Sequence, residues 1–211
     1  MGTEDTRERI LDAAEQLFAE RGFAATSIRD VTAEAGVNLA AVHYHFGSKD
    51  DLVRAVFERV LVPSNAHRLA MMKEAEQQPG GASVEDLLRA FILPELQLVS
   101  DLGERGPAVA RLSGRMLTEP TDAVHSLVME MFSEVGGRFI ADLQEALPAV
   151  SEEEVVFRMQ CTVAILTFFM SQNIPAHWKL VDLTDPETTA ARIIGFLLPA
   201  MSAPAAPPVT M

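Results

Sequence analysis

Cysteine is almost absent from this sequence of 211 residues, since Cys161 is the single one. One thiol cannot form an intramolecular disulfide, which excludes a disulfide-stabilised secreted scaffold and fits a reducing compartment. The first ten residues are polar and acidic, without the apolar segment of a signal peptide. These absences predict a cytoplasmic protein.

Long apolar runs are also lacking. The longest uncharged stretch, residues 159–178, includes glutamine, threonine, asparagine, proline and histidine, and it indicates a buried helix rather than a membrane span. Basic residues are scarce, with 17 Lys and Arg against 30 Asp and Glu and a net charge of −13. A general polyanion binder is therefore excluded, and any contact with nucleic acid must come from a local patch.

Helical periodicity is what the sequence does contain. Apolar residues recur at every third or fourth position and never alternate with polar ones over a strand's length. On the first helix they form a stripe of Ile10, Leu11, Ala14, Leu17 and Phe18. The pattern predicts an all-α fold of about nine helices. They cover residues 6–21, 28–35, 38–44, 49–77, 83–102, 107–117, 121–147, 151–172 and 186–199.

Capping residues and composition divide the chain. Ser27 is predicted to begin a short helix, Ser48 begins another with Asp51 completing a capping box, and Ser151 precedes Glu154 in the same spacing. We predict a small three-helix domain over residues 1–48 and a larger helical domain over residues 49–201. Residues 202–211 are rich in proline and alanine and predict a disordered tail.

The most informative segment is residues 26–49, TSIRDVTAEAGVNLAAVHYHFGSK. Two short helices flank a turn at Gly36, where glycine permits a backbone conformation that strains other residues. Val31, Val37, Val42 and Phe46 are predicted to face inward. The outer face of the second helix is small and partly polar, as a reader of the major groove requires. A plain helical hairpin is the alternative.

The chain from residue 6 to about residue 60 resembles the DNA-binding domain of TetR-family transcriptional regulators. The resemblance rests on ILDAAEQLFAERGFAATSIRDV, AGV and YHFGSKDDL in succession. It implies a homodimer that binds palindromic double-stranded operator DNA, most often as a repressor, and is released by a small-molecule effector. It also implies DNA binding by residues 1–48 and effector binding and dimerisation by residues 49–201, with the dimer interface on the last two helices.

The resemblance also implies which residues contact DNA. Base contacts are assigned to Arg29, Asn38, Leu39, Ala40 and His43, and phosphate contacts to Ser27, Tyr44 and Lys49. His43 stands where the family usually has a base-reading tyrosine, so the operator of better-known members does not transfer to this chain.

The C-terminal half is rich in methionine and phenylalanine, which suit an adaptable apolar ligand site. Arg111 and Arg115 lie one turn apart on an apolar helix and could anchor a carboxylate or form salt bridges. The predicted pocket residues are Arg111, Arg115, Met116, Phe132 and Phe169. RLSGRMLTEP and LPAVSEEE resemble fatty-acid-responsive members. Because the larger domain has more apolar and methionine residues than ionic anchors, the expected effector is apolar or amphipathic.

Other functions have little support in the sequence. His43 and His45 are two positions apart and do not share a helical face, so no metal site is predicted. No cofactor, membrane partner or enzymatic activity is expected, because no nucleophile–base arrangement, phosphate loop or carboxylate pair is present. The alternative function is a helical ligand-binding or protein-interaction module without operator-specific DNA binding, which only the acidic charge favours.

Overall fold

The computed structural model describes residues 3–119, 122–171 and 182–204, and over these residues the fold is all-α, as predicted. The described part contains nine α-helices and a 3-10 helix, Gly103–Arg105, which was not predicted. The α-helices are α1 (Thr3–Arg21), α2 (Ile28–Ala35), α3 (Leu39–Phe46), α4 (Lys49–Glu76), α5 (Val84–Asp101), α6 (Gly106–Thr118), α7 (Asp122–Ala146), α8 (Glu152–Met170) and α9 (Pro186–Ser202).

Two predicted helix starts are confirmed, and at each of them a serine hydroxyl caps the helix. Ser48 Oγ accepts from the Asp51 N–H at 3.1 Å, and Ser151 Oγ accepts from the Glu154 N–H at 3.3 Å. The ends were predicted less well: α3 continues two residues past the predicted end, and α9 runs through Pro199 to Ser202. The predicted helix start at residue 121, the end at residue 172 and the tail beyond residue 204 lie outside the described residues.

The described residues form two compact units. The first unit takes in the residues up to Pro63, those of Leu102–Met131 and those from Thr167 to Ser171. The second takes in Ser64–Asp101, Phe132–Leu166 and the described residues from 182 onward. The domain boundary predicted at residue 48 separates the DNA-binding domain from the effector-binding domain, and it stays a prediction.

The core of the first unit is built on α1, which packs against α2, α3 and α6. The predicted stripe on α1 is at most 2% exposed at every position. The carboxylate of Glu15 is buried on the same helix. It accepts hydrogen bonds from Arg59 on α4 at 2.7 Å and from Arg105 at 2.9 Å. Two guanidinium groups thus compensate one buried negative charge.

The core of the second unit has α5 packed against α9 and contains a buried ion pair. Arg68 Nη2 lies 3.1 Å from Glu95 Oε2, with both side chains at most 4% exposed. Arg68 also donates to the Phe91 carbonyl oxygen and to Asn65 Oδ1, at 2.9 Å each. Burial lowers the pKa of the Arg68 guanidinium, while Glu95 raises it. Among the described helices none is long and apolar enough to cross a membrane.

Candidate nucleic-acid interface

The start of α2 is held by two hydrogen-bonded residues, Ser27 and Asp30. Ser27 Oγ accepts from the Asp30 N–H at 3.2 Å, and the Asp30 carboxylate accepts from the Ser27 N–H at 2.8 Å and from its hydroxyl at 2.5 Å. The hydroxyl bond, then the backbone bond, lowers the pKa of the Asp30 carboxyl. The sequence predicted the cap but not this reciprocal partner. Both donors of Ser27 are occupied by Asp30.

The turn between α2 and α3 has the predicted helix-turn-helix geometry. Gly36 has φ +61 and ψ +39, the left-handed conformation that glycine adopts at little cost. The N–H of Val37 donates to the Thr32 carbonyl oxygen at 3.0 Å. Arg9, on α1, donates to the carbonyl oxygens of Ala35 and Gly36. The sequence reasoning missed Arg9, because its partners are backbone atoms more than 25 residues away.

Helix α3 buries one face and exposes the other. Val42 and Phe46 point into the core and are 1% and 9% exposed, while Val37 in the turn is half-buried. Asn38 caps the helix, with Oδ1 accepting from the Ala41 N–H at 2.9 Å. The residues assigned to bases on this helix and its cap are all exposed: Asn38, Leu39, Ala40 and His43. Tyr44, assigned to phosphate, is 77% exposed.

Two cations lie on the helices that precede and follow α3 in the chain. Arg29 on α2 is exposed, and Lys49 in the first turn of α4 is half-buried. Neither forms an ion pair with any residue that the structure describes. Arg21 lies 3.9 Å from Asp30 and is partly neutralised. Residues 21–49 hold three basic and two acidic side chains, so the positive charge at this surface is small and local.

Arg115 on α6 and Glu119, the residue that follows this helix, bond to the end of α1 and to the turn after it. Arg115 Nε donates to the Ala19 carbonyl oxygen at 3.0 Å, and its Nη2 donates to that of Glu20 at 3.1 Å. Arg115 also pairs with Glu119, whose Oε2 accepts from the Phe23 N–H at 3.0 Å. Positive charge at a helix C-terminus is favourable, because the carbonyl groups there are otherwise without partners.

The predicted effector residues are divided between the two units, and the pocket that they were predicted to form stays a prediction. Arg111, Arg115, Met116 and Phe169 lie in the first unit, and Phe132 lies in the second. The Phe132 ring centroid is 5.4 Å from Arg68 Cζ, so this ring packs on the buried ion pair. Met116 is 4% exposed, and Arg115 is engaged as described above. Within the described residues no three His, Cys, Asp or Glu side chains cluster as metal ligands would.

Comparison with known families identifies the class of protein. Residues 10–56 match the family described as bacterial regulatory proteins, tetR family. Residues 89–203, more than half of the chain, match the tetracyclin repressor-like C-terminal domain. The chain belongs to the tetR family, which confirms the resemblance seen in the helix-turn-helix segment.

Curated relatives support this assignment over part of the chain. The HTH-type transcriptional repressor Rv3405c of Mycobacterium tuberculosis is 54% identical over 117 residues, covering 53% of this chain and 58% of that protein. The HTH-type transcriptional regulator TtgR of Pseudomonas putida is 34% identical over 88 residues, or 42% of each chain. This chain thus spans less than two thirds of the length of these relatives.

Solved structures are similar over nearly the whole chain. A regulatory protein of the tetR family from Rhodococcus RHA1 has a TM-score of 0.65 at 18% identity and covers 95% of this chain and 98% of its own. The fatty acid degradation regulator FadR from Bacillus halodurans has a TM-score of 0.66 at 16% identity, covering 92% and 94%. At these identities the likeness shows the fold alone.

Proposed function

We propose that the protein is a sequence-specific DNA-binding transcriptional regulator that represses its target genes. The observation that carries this proposal is the exposed face of α3, which the buried Val42 and Phe46 hold against α1 and α2. A short helix with small and polar exposed residues fits the major groove, where base edges are read. The proposal includes a cytoplasmic location and no enzymatic activity.

The proposed DNA contacts are of two kinds, to bases and to phosphates. We assign base contacts to Arg29, Asn38, Leu39, Ala40 and His43, as the resemblance to the family implies, and the exposure of these side chains supports the assignment. Phosphate contacts are assigned to Tyr44 and Lys49, and Lys49 adds its charge to the N-terminus of α4, which favours anions. Ser27 stays in this set, although a phosphate must displace the Asp30 carboxylate to use its donors.

The functional molecule in this proposal is a homodimer. Phe157 and Phe168 lie eleven residues apart on α8, which places them on one helical face, and both are more than half exposed. Phe196 on α9 is 72% exposed. Apolar surface of this kind marks an interface, and a two-fold four-helix contact would cover it. The dimer would present two α3 helices to a palindromic operator with half-sites about 34–36 Å apart or a multiple of that.

The proposed effector is an apolar or amphipathic small molecule, of the kind to which fatty acids and acyl thioesters belong. Arg111 is the better anchor for an acid group, because Arg115 is bonded to α1 and to Glu119. Met116 and Phe169 supply apolar surface in the same unit. Release requires that the effector bind better to the conformation with a low affinity for DNA. Helix α4 runs through both units and is the proposed route of coupling.

A salt titration of DNA binding tests the function. The full chain is mixed with DNA from the region upstream of its own gene and with unrelated DNA of equal length. Specific binding at physiological salt supports the proposal. Equal affinity for both DNAs favours the alternative, a helical ligand-binding or protein-interaction module.

The matched variants in this titration are Lys49→Ala and Lys73→Ala. Lys49→Ala is expected to weaken binding to all sequences and to reduce the salt slope by about one for each phosphate that the lysine neutralises. Lys73 is an exposed lysine on the same helix but in the second unit, so its removal should leave the slope unchanged.

A further inference from the structure

His43 and Gly47 exchange two hydrogen bonds at the end of α3. The Gly47 N–H donates to the His43 carbonyl oxygen at 3.0 Å, and Nδ1 of the His43 ring lies 2.8 Å from the Gly47 carbonyl oxygen. Gly47 has φ +78 and ψ −67, a backbone conformation that favours glycine. The pair of bonds fixes the orientation of the imidazole ring on the exposed side of the helix.

The Gly47 carbonyl oxygen also decides which ring nitrogen carries the proton. A carbonyl oxygen can only accept a hydrogen bond, so His43 Nδ1 must be the donor. A neutral imidazole has one protonated nitrogen and one bare nitrogen. The bare nitrogen of His43 is therefore Nε2, which presents a lone pair on the exposed face of α3.

We propose that His43 is a specificity-determining residue that accepts a hydrogen bond from the exocyclic amino group of adenine or cytosine. This inference rests on the proposed function and names the base that the site reads. In the major groove adenine N6 and cytosine N4 donate, whereas guanine O6 and N7 and thymine O4 only accept. Two acceptors repel each other, so the contacted strand carries adenine or cytosine at one position of each half-site and excludes guanine and thymine there.

Selection of operators from a random DNA library tests the base preference. The wild-type chain should enrich adenine or cytosine at that position. The His43→Ala variant should lose the preference at that position alone. The His43→Lys variant, whose ammonium group only donates, should shift it to guanine or thymine. A His43→Ala variant that keeps every base-pair preference of the wild-type consensus overturns the inference.

A modified operator tests the amino group itself. Replacing the selected adenine by purine, or the selected cytosine by pyrimidin-2-one, removes the amino group and leaves the ring in place. Wild-type binding should weaken roughly tenfold, within the range of one good base contact, and His43→Ala should bind both operators equally well. If the base analogue weakens DNA binding equally in wild type and variant, it acts by changing the duplex and not by removing a contact with His43. That result overturns the inference.

The tautomer is measured without DNA, which separates this inference from the proposed function. Two-bond proton–nitrogen NMR correlations at about pH 8, where imidazole is neutral, should show His43 with a protonated Nδ1 and a bare Nε2. The signal is assigned by its absence from His43→Ala. The opposite tautomer overturns the inference whatever the DNA does. A selection that enriches no sequence overturns the proposed function and the base-reading role with it.

Discussion

Arg115, near the end of α6, donates a hydrogen bond from Nε to the carbonyl oxygen of Ala19, in the last turn of α1, at 3.0 Å. The two residues are 96 positions apart in the sequence. Through this bond and the pairing with Glu119, one guanidinium group closes the end of the helix on which α2 and α3 pack. The C-terminal region thus contributes directly to the unit that contains the helix-turn-helix.

Removing this guanidinium should destabilise the protein. Arg115→Ala leaves two α1 carbonyl groups and Glu119 without their partner, and we expect the free energy of unfolding to fall by about 1–3 kcal/mol. Arg111→Ala is the matched control on the same helix, because Arg111 makes no ion pair with the described residues, and it should change stability by less than about 0.5 kcal/mol. Urea unfolding measures both. Equal decreases would show that the helix-end bonds contribute nothing specific.

A methyl group at Gly22 should be poorly tolerated. Gly22 has φ +88, and a Cβ there would lie 2.5 Å from Glu119 Oε2. Gly22→Ala therefore combines a strained backbone, which costs roughly 1–2 kcal/mol, with the displacement of Glu119 from the Phe23 N–H. Gly80→Ala has the strain alone, since φ is +100 and no atom beyond the adjacent residues lies within 4 Å of where the Cβ would be. Thermal unfolding should give the lower midpoint for Gly22→Ala, and equal midpoints would contradict the contact with Glu119.

Removing both charges of the buried pair Arg68–Glu95 should destabilise the protein less than removing one of them. Glu95→Gln leaves the Arg68 charge buried without its partner, and an uncompensated buried charge costs about 3–5 kcal/mol. The double variant Arg68→Met with Glu95→Leu should recover most of that stability. Glu76→Gln is the control, because its partner Arg138 is 36% exposed and the pair is weakly stabilising at best. A double variant less stable than Glu95→Gln would rule out the charge as the cause.

Acid should remove the contribution of Asp30 to stability. Its folded-state pKa lies below the ordinary value, because Ser27 donates to the carboxylate. The stabilisation is therefore complete above the unfolded-state pKa of about 3.9 and is lost as the pH falls through the folded-state pKa. The difference in thermal midpoint between wild type and Asp30→Asn should shrink as the pH falls from about 4 to about 2. Glu34→Gln, on the same helix, is the control. A difference that stays constant over this range would exclude the ionised carboxylate.

A charge in the proposed dimer interface should dissociate the dimer. Phe196→Glu places a carboxylate on the exposed apolar face of α9. Burying this charge against a second copy of the chain is unfavourable. Light scattering at micromolar concentration should give twice the 23.0 kDa chain mass for wild type and the single mass for the variant. Met129→Glu changes another exposed apolar residue, on α7, and should leave the dimer intact. A wild-type mass near 23.0 kDa would refute the dimer.

The helices and the helix-turn-helix could be predicted because the interactions that form them are local. An N-cap serine bonds an N–H three residues ahead, as Ser48 and Ser151 do, and the apolar stripe of α1 repeats within each turn. The inward residues of α3 followed from the same periodicity. The bond between His43 and Gly47 is local too, but it depends on a ring orientation and on the φ and ψ of Gly47, which residue spacing does not indicate.

The sequence by itself therefore determined which segments are helical, where most of them begin, and which face of α3 is exposed. Only the tertiary structure decided that Arg115 caps α1, that Phe132 packs on a buried arginine, and that Arg9 holds the turn after α2. The physical reason is the separation in sequence between the residues that interact. A cap or an apolar stripe is complete within a few residues. The partner of a long cationic side chain depends instead on which helices pack together. The sequence offers each arginine many carboxylates and carbonyl groups of the same chemistry, and it does not indicate which of them is the partner.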